Sequence, residues 1–255
     1  MHFFEVAGRR YAQFESLRQI ADLEHAFSTR PENMSICRDT ACAARRRQMT
    51  LDFGRDPESM VCCGQVHTSE IAIVRRGMVS AHGVLKGYDA ACTDDPAVTL
   101  MSFSADCPLV LVFDPRREIL GVAHASWRCT TALIVPKLID TLREEFGSEP
   151  SDLVAGIGPS AGPDAYEVGE DVYQASAGLP GRALCFPRHD GRMYFDLWQA
   201  NRLQLQASGV SENKIEVAGI CTMTRTDLFY SYRREGSGCG HFCLMAGIAR
   251  ARKPE

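Results

Sequence analysis

Cys107 and His124 are the residues whose types and placement most directly invite chemistry. Cys107 stands in Ser104-Ala-Asp-Cys-Pro, just ahead of the apolar run Leu109–Phe113. His124 stands just behind a second run, Ile119–Ala123, and opens His124-Ala-Ser-Trp-Arg128. A thiol and an imidazole brought together make either half of a metal site or a Cys/His catalytic pair. A second grouping, Cys239-Gly-His241-Phe-Cys243, has its donors at alternate positions, which share one face of a strand. A further metal site there competes with burial of the thiols as small apolar groups.

The elements that must position Cys107 and His124 are two strands. Both runs have strand length, are rich in Val, Ile and Leu, and are bounded by turn residues. Asp114-Pro115-Arg-Arg-Glu118 between them predicts a hairpin loop. Antiparallel pairing then brings Cys107 and His124 to the same end of the sheet. Other strands are expected over Ser59–Val66, Glu70–Val74, Val98–Phe103, Leu153–Ile157, Ile215–Ile220 and Phe242–Ile248. Helices are expected from about Asp39 to Met49, over Thr130–Phe146 and over Asp196–Ser208, the last with Gly209 as its cap. Pro136 either kinks the middle one or marks where its regular part begins. Arg45-Arg46-Arg47 reads as a solvated helix face.

Composition narrows the function classes. The chain has 255 residues, 45% hydrophobic and 24% charged, which suits one domain over 1–255 with no linker. A formal charge of −4 argues against a nucleic-acid surface. No apolar run approaches the roughly 18 residues that a membrane span needs, and no secretion signal is apparent. The 11 cysteines are odd in number and irregularly spaced, so the expectation is reduced thiols in a cytoplasmic protein.

Eight stretches in consistent order carry a resemblance. They are Gln65-Val-His67, Ala105-Asp-Cys107-Pro, His124-Ala-Ser-Trp-Arg128, Ile157-Gly-Pro159, Tyr166-Glu-Val-Gly169, Phe195-Asp-Leu197 with Asn201, Cys221-Thr222 and Phe229-Tyr-Ser-Tyr-Arg-Arg234. From about Phe27 onward the chain resembles the laccase-domain or YfiH-like family, also called polyphenol oxidase family proteins and purine nucleoside phosphorylases. The resemblance implies a single α/β domain with mixed β-sheets sandwiched between helices. It also implies a zinc centre, copper being less favoured, whose ligands and catalytic groups are His67, Cys107 and His124. Only the resemblance brings in His67.

Two imidazoles and one thiolate leave a fourth position open, the pattern of catalytic zinc. The implied activities are phosphorolysis of adenosine, inosine and S-methyl-5'-thioadenosine, and deamination of adenosine. The partners are therefore a purine nucleoside and phosphate, and the oligomeric state stays open. Arg30 matches an early family motif and is a phosphate ligand or a structural ion pair. Arg233 and Arg234 are candidates to face the pocket, and Tyr232 to stack on a base or pack in the core. Asp106 either orients a ligand histidine or caps backbone. Asp89 and Thr93 read as structural.

The chain departs from the family pattern in three places. His-Ala-Gly-Trp-Arg-Gly becomes His124-Ala-Ser126-Trp-Arg-Cys129, Gly-Pro-Cys becomes Gly158-Pro-Ser160, and a Gly-Arg becomes Gly240-His241. The same three ligands would also serve an amidase that edits a peptidoglycan precursor, or a metal-binding protein that has lost catalysis. A multicopper oxidase is disfavoured, because seven histidines with no His-x-His pair are too few.

Overall fold

The computed structural model describes residues 1–36, 39–75 and 84–249. In chain order its first strands are β1 (His2–Val6), β2 (Arg9–Gln13), β3 (Leu23–Ser28), β4 (Met60–Cys63) and β5 (Ile71–Ile73). Then come β6 (Val84–Leu85), β7 (Ala90–Thr93), β8 (Thr99–Ser104), β9 (Leu109–Asp114) and β10 (Ile119–His124). The last are β11 (Val154–Ile157), β12 (Arg188–His189), β13 (Arg192–Met193), β14 (Ile215–Val217) and β15 (Phe242–Ile248). Helices are α1 (Thr40–Asp52), α2 (Trp127–Thr131), α3 (Ile134–Phe146), α4 (Glu170–Ala175), α5 (Leu197–Ala207) and α6 (Tyr232–Glu235).

Two mixed sheets dominate. One runs β1-β2-β3-β15-β8-β4-β6 and the other β14-β11-β9-β10-β7-β5. Alternation along β9 explains how they pack. Leu109, Leu111 and Phe113 join Phe27, Leu244 and Leu100 in the core between the sheets. Val110 and Val112 point the other way, into a core shared with Leu138, Leu142 and Leu205 of the covering helices. A strand buried on both faces reads as a continuous apolar run, as this one does. On the far side of the first sheet, Met101 and Met245 pack with Met49 of α1. The result is the expected pair of sheets between helices. Among the described residues, no helix is long and apolar enough to cross a membrane.

The helix expected over Thr130–Phe146 is in fact two. Leu133 adopts φ 61°, in the left-handed region, and separates α2 from α3. Pro136 falls in the first turn of α3, where backbone N–H groups have no intrahelical partner and proline costs nothing. The strand expected over Ser59–Val66 stops at Cys63, because Gln65 (φ 50°) and His67 (φ 62°) leave the extended region. The strand from Ile215 likewise ends at Val217 rather than Ile220, shortly before Gly219 turns left-handed at φ 62°.

Candidate metal centre

In the β9–β10 hairpin, His124 pairs with Leu109, two residues after Cys107, so both lie at one end of the sheet. His67 arrives there on the loop that follows β4. The loop is held by a single carboxylate. Asp89 accepts the backbone N–H groups of Val66 (3.1 Å), His67 (3.1 Å) and Thr68 (2.8 Å), and the Thr68 hydroxyl at 3.1 Å. Three consecutive amides on one anion account for the left-handed turn at His67, which local propensity alone would disfavour.

The same carboxylate meets His124 Nδ1 at 2.9 Å, and the His124 N–H donates to the Asp89 carbonyl at 2.8 Å. Burial alone would push the Asp89 carboxyl up, but hydrogen bonds from His124 and Thr68 outweigh it and hold it at about 2. An ionised carboxylate only accepts, so His124 Nδ1 carries the proton and Nε2 presents a lone pair.

The His67 and His124 ring centroids lie 5.3 Å apart. His67 is the exposed member of the group; partial desolvation of its ring lowers its basicity, then His124 and Arg128 do, against the opposing pull of Asp89. His67, Asp89, His124 and Cys129 each offer a donor atom, and these atoms lie within 4.8 Å of one another. Both Asp89 oxygens are already engaged by amides, hydroxyl and imidazole. That leaves it placed to orient the two imidazoles rather than to hold an ion itself. Two imidazole nitrogens and a thiol sulfur suit zinc.

Cys129 enters from the first turn of α2, where Ser126 caps the helix by accepting the Cys129 N–H. The Ser126 hydroxyl also donates to Cys129 Sγ at 2.9 Å. Burial pushes the Cys129 thiol up to about 12, with the Ser126 hydroxyl pulling it down and the Asp89 charge adding to the rise. Cys107 is not among the four clustered donors. Its thiol is raised by burial and then by the nearby charges of Asp106, Cys129 and Asp89.

The remaining expected residues are arranged around this centre. Asp106, at φ 103°, accepts the Thr222 hydroxyl and the Arg233 N–H, both at 2.7 Å. It thus caps the start of α6 and fastens the Cys107 loop to the C-terminal segment; Asp89 is the carboxylate that orients a histidine. Arg233 lies 4.7 Å over the Tyr166 ring and donates to the Glu167 carbonyl. Arg30 is held by the Glu235 carboxylate, the Phe229 carbonyl and the Tyr230 ring, a structural set of contacts. Arg234 Nε donates to the Met223 carbonyl, and Tyr232 is 57% exposed, so it is not a core residue.

The grouping of Cys239, His241 and Cys243 does not converge. Cys239 Sγ turns to its neighbour's carbonyl, His241 Nδ1 pairs with the Ser35 hydroxyl at 2.7 Å, and Cys243 is buried in the core beside Met101 and Met245. Sequence reasoning missed Asp89, Cys129 and Arg128 as site residues. Arg128 lies 4.3 Å over the Trp127 ring and is close enough to His67 to lower its basicity. Its place in His124-Ala-Ser-Trp-Arg128, four residues after the candidate ligand His124, was the available signal.

The family model described as multi-copper polyphenol oxidoreductase laccase matches residues 32–249. A Bacteroides thetaiotaomicron protein named purine nucleoside phosphorylase is 33% identical over 261 residues, 94% of this chain and 96% of its own length. A protein named adenosine deaminase RL5, from an unknown prokaryotic organism, is 27% identical over 80% of each chain. The crystal structure of Bacillus licheniformis hypothetical protein YfiH superposes with a TM-score of 0.88 at 26% identity, covering 97% of this chain and 99% of that one.

Proposed function

The chain belongs to the multi-copper polyphenol oxidoreductase laccase family, and on that premise we propose that it is a zinc-dependent purine nucleoside phosphorylase. Its substrates are adenosine, inosine and S-methyl-5'-thioadenosine, and adenosine deamination is a second activity of the same site. The names of the two curated relatives support both activities. The observation that carries the proposal is the Asp89-held imidazole of His124 facing His67 beside the Cys129 thiol, with Cys107 at the same end of the hairpin.

His67, His124 and Cys107 hold the metal in this reading. Zinc, when bound, supplies Lewis acidity toward a substrate oxygen. The protein's own groups do the positioning. Asp89 accepts the Nδ1 proton of His124, so that in the neutral ring Nε2 is the nitrogen offered to the centre. Arg128, whose charge reaches His67, and Arg233, over the Tyr166 ring, are the phosphate cations in this reading, because a guanidinium fork matches the oxygens of phosphate. Phosphate oxygen then attacks the ribose carbon as the glycosidic bond breaks and the base leaves with its electron pair. Tyr232, exposed at the start of α6, stacks on the base in this reading.

The test is release of free base from inosine, adenosine and methylthioadenosine, with and without phosphate. Phosphate-dependent release that His124→Ala abolishes supports the proposal. Zinc binding without turnover of any nucleoside removes it.

A further inference from the structure

Cys129 is the one thiol among the clustered donors, and nothing in the three-ligand reading uses it. Its sulfur lies within 4.8 Å of donor atoms on both His67 and His124, and the residue is fully buried. A buried cysteine often serves only as a small apolar group. This one does pack against the apolar cluster of Ala125, Ile134 and Leu138, but its sulfur also meets polar groups. The Ser126 hydroxyl donates into its sulfur at 2.9 Å, and the thiol also faces the Asp89 carboxylate, which holds its proton until a metal displaces it. A hydroxyl that donates to sulfur stabilises electron density there, as a thiolate ligand requires.

The backbone fixes this placement. Ser126 follows the end of β10 and caps α2, so Cys129 is carried on the first turn directly after the ligand histidine's strand.

We propose that Cys129 is a metal ligand, donating its sulfur to the ion held by His67 and His124. The inference rests on the metal centre proposed above and changes its donor set. With Cys107 also bound, the set becomes two imidazoles and two thiols, and each thiol gives up its proton to solvent on binding. Four protein donors complete a tetrahedral set that holds zinc tightly, and a substrate oxygen then reaches the metal as a fifth ligand, an expansion that catalytic zinc sites make.

The experiment counts sulfurs at the metal. X-ray absorption at the zinc edge of the unmutated, zinc-loaded full chain is combined with cobalt-substituted spectra, in which sulfur-to-cobalt charge transfer scales with thiolate number. The same spectra are recorded for Cys129→Ser, Cys129→Gly and Cys107→Ser. Two sulfurs in the unmutated protein, one of them lost in either Cys129 variant, is the expected result. A chelator competition should show at least a tenfold loss of zinc affinity in those variants, in line with the ~10–100-fold typical of disturbing a metal's surroundings. A single sulfur that disappears with Cys129→Ser and survives Cys107→Ser also upholds Cys129 and removes Cys107 from the ligand set. A single sulfur lost only in Cys107→Ser overturns the inference and leaves the three-ligand centre standing. Failure of the unmutated protein to bind either metal overturns both.

Discussion

Asp89 Oδ1 lies 2.9 Å from His124 Nδ1, while the same carboxylate gathers the amides of Val66, His67 and Thr68. One buried side chain therefore sets the position of both imidazoles. Asp89→Asn tests this directly. An amide cannot accept from every donor that now converges there, and its NH₂ would face N–H groups. Zinc affinity should fall about 10–100-fold, the usual effect of removing a ligand's orienting partner, with a stability loss of about 1–3 kcal/mol for the unpaired donors. Chelator titration and denaturant melts check the two effects separately.

His25 predicts an acid transition unrelated to the metal centre. It is fully buried on β3, and its Nε2 accepts the Phe14 N–H at 3.0 Å. Burial lowers its pKa from 6.5 to about 4. Because the folded value lies below the unfolded one, the stabilisation is complete above pH 6.5 and is lost as pH falls from there toward 4. The loss amounts to roughly 3 kcal/mol at the bottom of that window. Urea melts from pH 7 to 4 should show it, and His25→Gln should flatten the slope. An unchanged slope in that variant would assign the acid sensitivity elsewhere.

Arg128 and Arg30 should separate under mutation. Arg128 stacks on Trp127 beside His67, whereas Arg30 is neutralised by Glu235. Arg128→Gln should raise the KM for phosphate about tenfold, the cost of roughly one charge-assisted hydrogen bond. The KM for nucleoside should change much less. Arg30→Gln should instead lower the melting temperature. Equal effects of both substitutions on phosphate KM would contradict the assignment.

The face-to-face packing of the sheets makes its own prediction at Gly156. A Cβ there would stand 2.4 Å from the Phe14 ring, which reaches across from the end of β2. Gly156→Ala should destabilise by about 1–3 kcal/mol through overpacking. Phe14→Leu in the same chain should recover part of it, measured by chemical denaturation as a double-mutant cycle. Additive losses would mean that the two positions do not meet.

The hairpin was legible because β9 and β10 are short, mostly apolar runs on either side of an Asp-Pro turn, and their pairing fixes the relation between Cys107 and His124. The break between α2 and α3 was not, because nothing about Leu133 announces a left-handed residue and Pro136 fits a helix start as well as a kink. Asp89 looked structural because its partners are distant in sequence, 21 to 23 residues back on one side and 35 ahead on the other. Its function exists only once the His67 loop and the hairpin fold onto it. Cys129 was visible as a departure from the family motif, but only the turn of α2 after β10 brings its sulfur to the histidines.

Metal content by mass spectrometry, on the same preparation assayed with inosine in the presence and absence of phosphate, tests the central claim most directly. A single zinc per chain, with hypoxanthine released only when phosphate is present and lost on chelation, is the predicted result. Base release from a metal-free preparation, undiminished by chelator, would contradict it and leave Cys107 and His124 to be understood as a Cys/His dyad.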